Sequence, residues 1–254
     1  MLEVKNLTVL YENALALNDL SLHVQAGEVV GVFGPNSAGK STLLNTVAGL
    51  TLHLKQREQR KGGQRITITG EIRFAGEDIT LARPGERVKK GVVLCRERHP
   101  VFRDNSVDEN LRLGGYMRSK SEIKEKMEFV YELFPPLKKL RKKKAGMLSG
   151  GEQEMVAIGM ALVACPKLLL MDEPLLGLSP AIQKEVVRAV KEIRKQGVTV
   201  LLSEQYARPL LPVIDRGYII ENGTLVVSGT GRELLDNPEV RAAYFGLEEG
   251  GKSA

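Results

Sequence analysis

Five apolar residues, Val29-Val30-Gly31-Val32-Phe33, run directly into Gly34-Pro35-Asn36-Ser37-Ala38-Gly39-Lys40-Ser41. No other stretch narrows the choice of folds as far. An apolar run without alternation suits a strand covered on both faces, which calls for a parallel sheet with helices packed over it. The loop that follows has the spacing of a phosphate loop, and Thr42 to Leu50 read as the helix such a loop feeds. Polyphosphate is a dense anion, and backbone N–H donors, a helix N-terminus and a lysine answer it. Lys40 is expected to reach the β- and γ-phosphates and Ser41 to ligate Mg²⁺. Gly34, Pro35, Asn36, Ser37, Ala38, Gly39 and Thr42 complete the expected bed for the nucleotide.

A second buried strand is expected at Leu168-Leu169-Leu170-Met171, and it ends in Asp172-Glu173. A carboxylate at the end of such a strand is expensive unless it serves a cation. Asp172 therefore suits an outer-sphere partner of Mg²⁺. Between loop and acids stands Leu148-Ser149-Gly150-Gly151-Glu152-Gln153, where a serine hydroxyl, two glycines and a helix start make a second anion nest.

The rest of the pattern sorts into two kinds of chain. Leu20-Ser21-Leu22-His23-Val24 alternates as a half-buried strand does. From about 96 to 165 the character is helical. Ser119 and Glu122 have capping-box spacing, Ile123, Met127, Val130 and Phe134 recur on one face, and Pro135-Pro136 stops that helix. Met155, Ile158, Ala161 and Leu162 mark another, ending before Pro166. Ser179-Pro180 starts a further helix with Ile182, Val186, Val190 and Ile193 as its stripe. Val198–Leu202 reads as a buried strand, and Asn222-Gly223 as the tight turn of a hairpin. The expected organisation is one α/β domain. Residues 1–95 and 166–254 form its nucleotide-binding core, and 96–165 an inserted helical subdomain.

Composition limits the setting. No apolar run approaches the roughly 18 residues of a membrane span, and the start lacks a signal peptide's basic end and apolar centre. A cytoplasmic protein with reduced thiols at Cys95 and Cys165 is expected. The net charge of +6 concentrates in Lys55–Arg65 and in Lys138–Lys144, where six of seven residues are basic. Solvated faces account for both clusters more simply than nucleic acid does. Aromatics make up 5% of the chain, and none interleaves the clusters to stack bases.

The three motifs in this order resemble the ATP-binding cassette (ABC) family, whose ATPase subunits drive membrane transporters. The resemblance implies a P-loop NTPase core with a mostly parallel sheet, an N-terminal antiparallel β-subdomain and the helical insertion. It implies ATP and Mg²⁺ as ligands, Glu173 as the catalytic glutamate that activates water, and Tyr11 as the ring stacked on adenine. Glu97 takes the place of a glutamine that senses Mg²⁺ and contacts the membrane subunit, and Gln205 that of a histidine touching the γ-phosphate. Leu178-Ser179 replaces a leucine–aspartate pair. Ser37 stands where members have glycine, so it must avoid positive φ or accept strain. Two cassettes stack head to tail in this family, so Leu148–Gln153 serves the partner's ATP and an isolated chain lacks a complete site.

Glu97, Ser203-Glu204-Gln205, Asp215-Arg216-Gly217-Tyr218 and the ending Val240–Gly246 are similar to the second ATPase subunit of branched-chain amino acid importers. That resemblance implies an identical or paralogous ATPase partner, transmembrane permeases, an external substrate-binding protein, and a place on the cytoplasmic face of the membrane. Departures are the long basic Lys55–Arg65 stretch and Pro209 and Pro212, which interrupt a segment that is usually helical. Urea and amide importers share much of the pattern, and lipid or lipopolysaccharide exporters share parts of its C-terminal half. A nucleic-acid-handling ATPase is disfavoured, because the chain has no coiled-coil insertion, zinc-type cysteine pairs or second cassette. No nucleic-acid partner is expected.

Overall fold

The computed structural model describes residues 1–98, 100–206 and 208–245; Gly246, named above, lies outside them. The chain opens with an antiparallel pair, β1 (Leu2–Tyr11) and β2 (Ala14–Val24). Their alternation decides which side chains go inward: Leu2, Val4, Leu7 and Val9 of β1 are buried, as are Leu17, Leu20, Leu22 and Val24 of β2. β4 (Ile66–Phe74) and the short β5 (Glu77–Asp78) complete this sheet in the order β2-β1-β4-β5.

The second sheet holds β3 (Val29–Phe33), β6 (Val92–Cys95), β7 (Leu168–Asp172), β8 (Thr199–Glu204), β9 (Arg216–Glu221) and β10 (Thr224–Thr230). Its order is β10-β9-β3-β8-β7-β6, parallel throughout except for the β9–β10 hairpin. Every residue of β3 and β7 is buried, as an unbroken apolar run requires. Successive side chains serve opposite faces. Val30, Val32, Leu168 and Leu170 pack with the antiparallel sheet, while Val29, Phe33, Leu169 and Met171 pack with helices on the other side.

α1 (Lys40–Val47) follows the loop after β3 but stops short of the expected Leu50. Gly49, at φ +83°, breaks the helix, and α2 (Leu50–Gln59) sets off from it. The basic Lys55–Arg65 stretch is thus the second half of a helix and the turn after it, rather than a bare connection. α3 (Pro84–Lys90) leads into β6.

The helical stretch contains α4 (Val107–Gly114), α5 (Lys120–Leu133), α6 (Pro135–Leu140) and α7 (Gly150–Val163). The Ser119 hydroxyl accepts the Glu122 N–H at 3.3 Å, and the Glu122 carboxylate accepts the Ser119 N–H at 2.8 Å. That is the reciprocal bonding which satisfies two orphan donors at a helix start. Pro135 ends α5 and opens α6, since it lacks an N–H but has a helical φ. These helices share one continuous apolar cluster with the underside of the parallel sheet.

α8 (Pro180–Lys195) starts at Ser179 and buries Val186, Val187, Ala189, Val190 and Ile193. Beyond β8, around Pro209 and Pro212, the described residues form a 3-10 turn, Arg208–Leu210. α9 (Gly231–Asp236) follows β10. Cys95 is buried and Cys165 half-buried, and both are free thiols. No helix among the described residues is long and apolar enough to cross a membrane.

Candidate nucleotide site

The loop between β3 and α1 wraps around the helix start. Gly39 sits at φ +104°, and a Cβ there would stand 2.5 Å from the Ala16 carbonyl oxygen, so only glycine fits. No side chain caps α1, which leaves its first N–H groups to meet an anion. The β9–β10 turn buttresses the loop from behind: Gly223 N–H donates to the Ala38 carbonyl at 3.0 Å. Ser37 adopts φ +66°, so the loop accepts the left-handed conformation at a residue with a Cβ.

Lys40 is only 3% exposed. Its ammonium donates to the carbonyl oxygens of Gly34 at 2.8 Å and Pro35 at 3.0 Å, and it pairs with Glu173 Oε1 at 3.3 Å. Ser37, Ala38, Gly39, Lys40, Ser41, Thr42, Glu173 and Ala16 line one cavity of about 140 Å³. Behind it, Asp172 Oδ1 accepts hydrogen bonds from the hydroxyls of Ser41 at 3.0 Å and Ser203 at 2.7 Å. The strand β8 positions the acids. Glu173, at φ +46°, donates its N–H to the Ser203 carbonyl at 3.1 Å and the Ser203 hydroxyl at 3.2 Å.

Two hard oxygens, Ser41 Oγ on the cavity wall and Asp172 Oδ1 behind it, stand 3.0 Å apart. Among the described residues no cluster of three metal-binding side chains exists. This donor set fits Mg²⁺, which takes one or two protein oxygens and completes its shell with water and substrate phosphates.

Tyr11, Glu97 and Gln205, also expected at the site, do not line the cavity. Tyr11, at the end of β1, packs partly buried on the antiparallel-sheet core. Glu97, beyond β6, pairs with Arg98 at 3.7 Å. The Gln205 amide reaches the Tyr206 hydroxyl at 3.4 Å. None of Leu148–Gln153 lines the cavity. Ser149 caps α7 with Glu152 in a capping box, and the Gln153 amide donates to the carbonyls of Ala145 and Leu148 at 3.0 and 3.3 Å. Gly151 lets α8 approach closely, because a Cβ there would meet Ile182 at 2.9 Å.

Ser203 and Glu204 were not singled out from the sequence as site residues. Glu204 is 7% exposed, and its Oε1 accepts the Leu175 N–H at 2.7 Å. Burial pushes its carboxyl up to about 8, and the charge of Glu173 pushes in the same direction. An acid at the end of an otherwise apolar strand was the available signal.

A lysine, a hydroxyl and two carboxylates gathered at the C-terminal edge of a parallel sheet define the class: a P-loop nucleotide hydrolase. The ABC transporter family model matches residues 17–176, and the chain belongs to that family as an ATP-binding subunit and ATPase. It is 41% identical to the high-affinity branched-chain amino acid transport ATP-binding protein BraG of Pseudomonas aeruginosa, over 97% of this chain and all of that one. It is 32% identical to the lipopolysaccharide export system ATP-binding protein LptB of Escherichia coli K12, over 96% and 97% of the two chains. The crystal structure of the ADP conformation of MJ1267, a transporter ATP-binding cassette, superposes with a TM-score of 0.80 at 28% identity, covering 97% and 99%.

Proposed function

We propose that this chain is the ATP-hydrolysing subunit of an importer for branched-chain or related amino acids. One observation carries the hydrolytic reading: the Lys40 ammonium and the Glu173 carboxylate meet at 3.3 Å in the phosphate-loop cavity. The importer reading rests on the full-length likeness to BraG, whose identity exceeds that to LptB. Lipopolysaccharide export remains the second reading on the strength of the latter.

In the mechanism, the β- and γ-phosphates of ATP lie on Gly34–Thr42 and take Lys40 as their cation. Glu173 then turns its carboxylate to the attacking water as general base, a role that contributes roughly 10²–10⁴-fold in rate. Ser41 and Asp172 are the residues that would hold Mg²⁺, which would supply positive charge to the phosphate oxygens. Tyr11 stacks on the base, and Glu97 and Gln205 approach the nucleotide when the site closes. Leu148–Gln153 of a second cassette, identical or paralogous, grips the γ-phosphate across a head-to-tail dimer. The division into core (1–95 and 166–254) and helical insertion (96–165) gives the pair its moving part. The helical part passes closure to membrane permeases, with the chain at the cytoplasmic face and an external binding protein delivering the substrate.

Replacing Glu173 by Gln is expected to abolish turnover while leaving ATP binding intact, read by phosphate release and nucleotide titration. Near-normal turnover would overturn the assignment of the base. For the substrate, the subunit is reconstituted with its permeases and binding protein, and leucine, isoleucine or valine is expected to stimulate ATPase. Stimulation by urea, an amide or lipopolysaccharide instead would overturn the amino acid reading.

A further inference from the structure

β8 takes the backbone donors of the chain at and after Glu173 at two points, while the Gln183 amide of α8 reaches the Leu175 carbonyl at 3.4 Å. In the tripeptide Glu173-Pro174-Leu175 the proline has no N–H, so Glu173 and Leu175 carry its only backbone donors. The first goes to Ser203, at 3.1 Å to the carbonyl and 3.2 Å to the hydroxyl. The second goes to Glu204 Oε1 at 2.7 Å. Two consecutive residues of one strand thereby take both donors of the segment that carries the catalytic glutamate.

We propose that Glu204 is a positioning residue of the hydrolytic site: its side chain clamps the Leu175 N–H and so sets where the Glu173 carboxylate stands above Lys40. This rests on the reading of Glu173 as the base. The left-handed conformation of Glu173, at φ +46°, makes the clamp necessary. A non-glycine residue there is strained and persists only when its surroundings hold it. Leu175 is 4% exposed, so its N–H has no water to turn to if the carboxyl is removed.

The chemistry of the clamp follows from its neighbours. The charged groups acting on Glu204 are Glu173, which follows β7, and Lys40 of α1. Burial and the negative charge of Glu173 keep the Glu204 carboxyl neutral at pH 7, and a neutral carboxyl still accepts the N–H through its carbonyl oxygen. Glutamine offers the same acceptor on the same length of side chain, and leucine fills the space with none.

The test compares Glu204→Gln, Glu204→Leu and Glu173→Gln in the full chain, by steady-state ATPase kinetics and nucleotide binding. Glu204→Leu is expected to lower kcat by about 10²-fold, the scale of an ångström's misplacement. KM for ATP should stay within about threefold, because Gly34–Thr42 is untouched. Glu204→Gln is expected to keep kcat within about threefold of the unaltered chain. The proposal is overturned if Glu204→Leu binds ATP and turns over normally, or if Gln and Leu are equally impaired while binding ATP. Where Glu204→Leu does not fold, Glu204→Asp replaces it: its carboxyl falls one methylene short of Leu175, and normal kcat in that variant overturns the proposal. Glu173→Gln separates the two ideas. Turnover retained in that variant removes the base itself, whereas turnover lost there but normal in Glu204→Leu removes only the clamp.

Discussion

At Glu204 one side chain carries both a structural and a titration consequence. Its folded-state carboxyl sits at about 8 because burial disfavours the charge, whereas an unfolded glutamate ionises near 4.3. The folded state therefore holds a proton that the unfolded state releases across that interval. The sign follows: the stabilising effect is complete below the unfolded value and is lost as pH rises towards 8. Glu204→Gln has no proton to release. Its stability advantage over the unaltered chain is expected to grow between about pH 5 and pH 8, measured by denaturant unfolding at the two ends of that range. An advantage of equal size at both ends would show that Glu204 does not titrate there. Lys40, Ser41, Asp172 and Glu173 were legible from spacing, because a phosphate loop and a strand-end acid pair are local patterns. Glu204 was not, because its meaning depends on a Leu175 N–H supplied by another strand.

Elements are tied together by groups that periodicity does not reveal. Arg87 of α3 is 1% exposed, yet its guanidinium donates only to backbone carbonyls: Thr46 at 2.9 Å, Val47 at 2.8 Å, Ala82 at 2.9 Å and Thr80 at 2.9 Å. Two of those carbonyls end α1, where the helix dipole is negative and welcomes a cation. Burial lowers the Arg87 value to about 10, which leaves it charged at neutral pH. Arg87→Met removes four hydrogen bonds to backbone carbonyls at once, two of them buried, and is expected to destabilise the chain by about 3 kcal/mol, read from a urea midpoint shift. A loss below about 0.5 kcal/mol would mean that water reaches those carbonyls. Capping boxes, proline stops and apolar stripes placed α5, α7 and α8 correctly from the sequence. The break at Gly49 was missed because the residues on both sides of it favour helix, and one left-handed glycine redirects the chain.

On the scale of the whole molecule, the chain presents one phosphate-loop cavity and one Leu148–Gln153 helix start that does not line it. In the proposed head-to-tail pair, turnover depends on two chains meeting. Specific ATPase activity is expected to rise with chain concentration and to fall on dilution into monomer, with mass measured by light scattering in the same samples. Full activity in monomers would mean that a single chain completes its own site. The sequence by itself determined the parallel core, the phosphate loop and the identity of the acids, because apolar runs and short motifs act over a few residues and need no distant partner. The tertiary structure alone decided which groups converge. Sheet order put β8 between β3 and β7, and only that adjacency brings Ser203 to Asp172 and Glu204 to Leu175. Long-range pairing of this kind leaves no periodic trace along the chain.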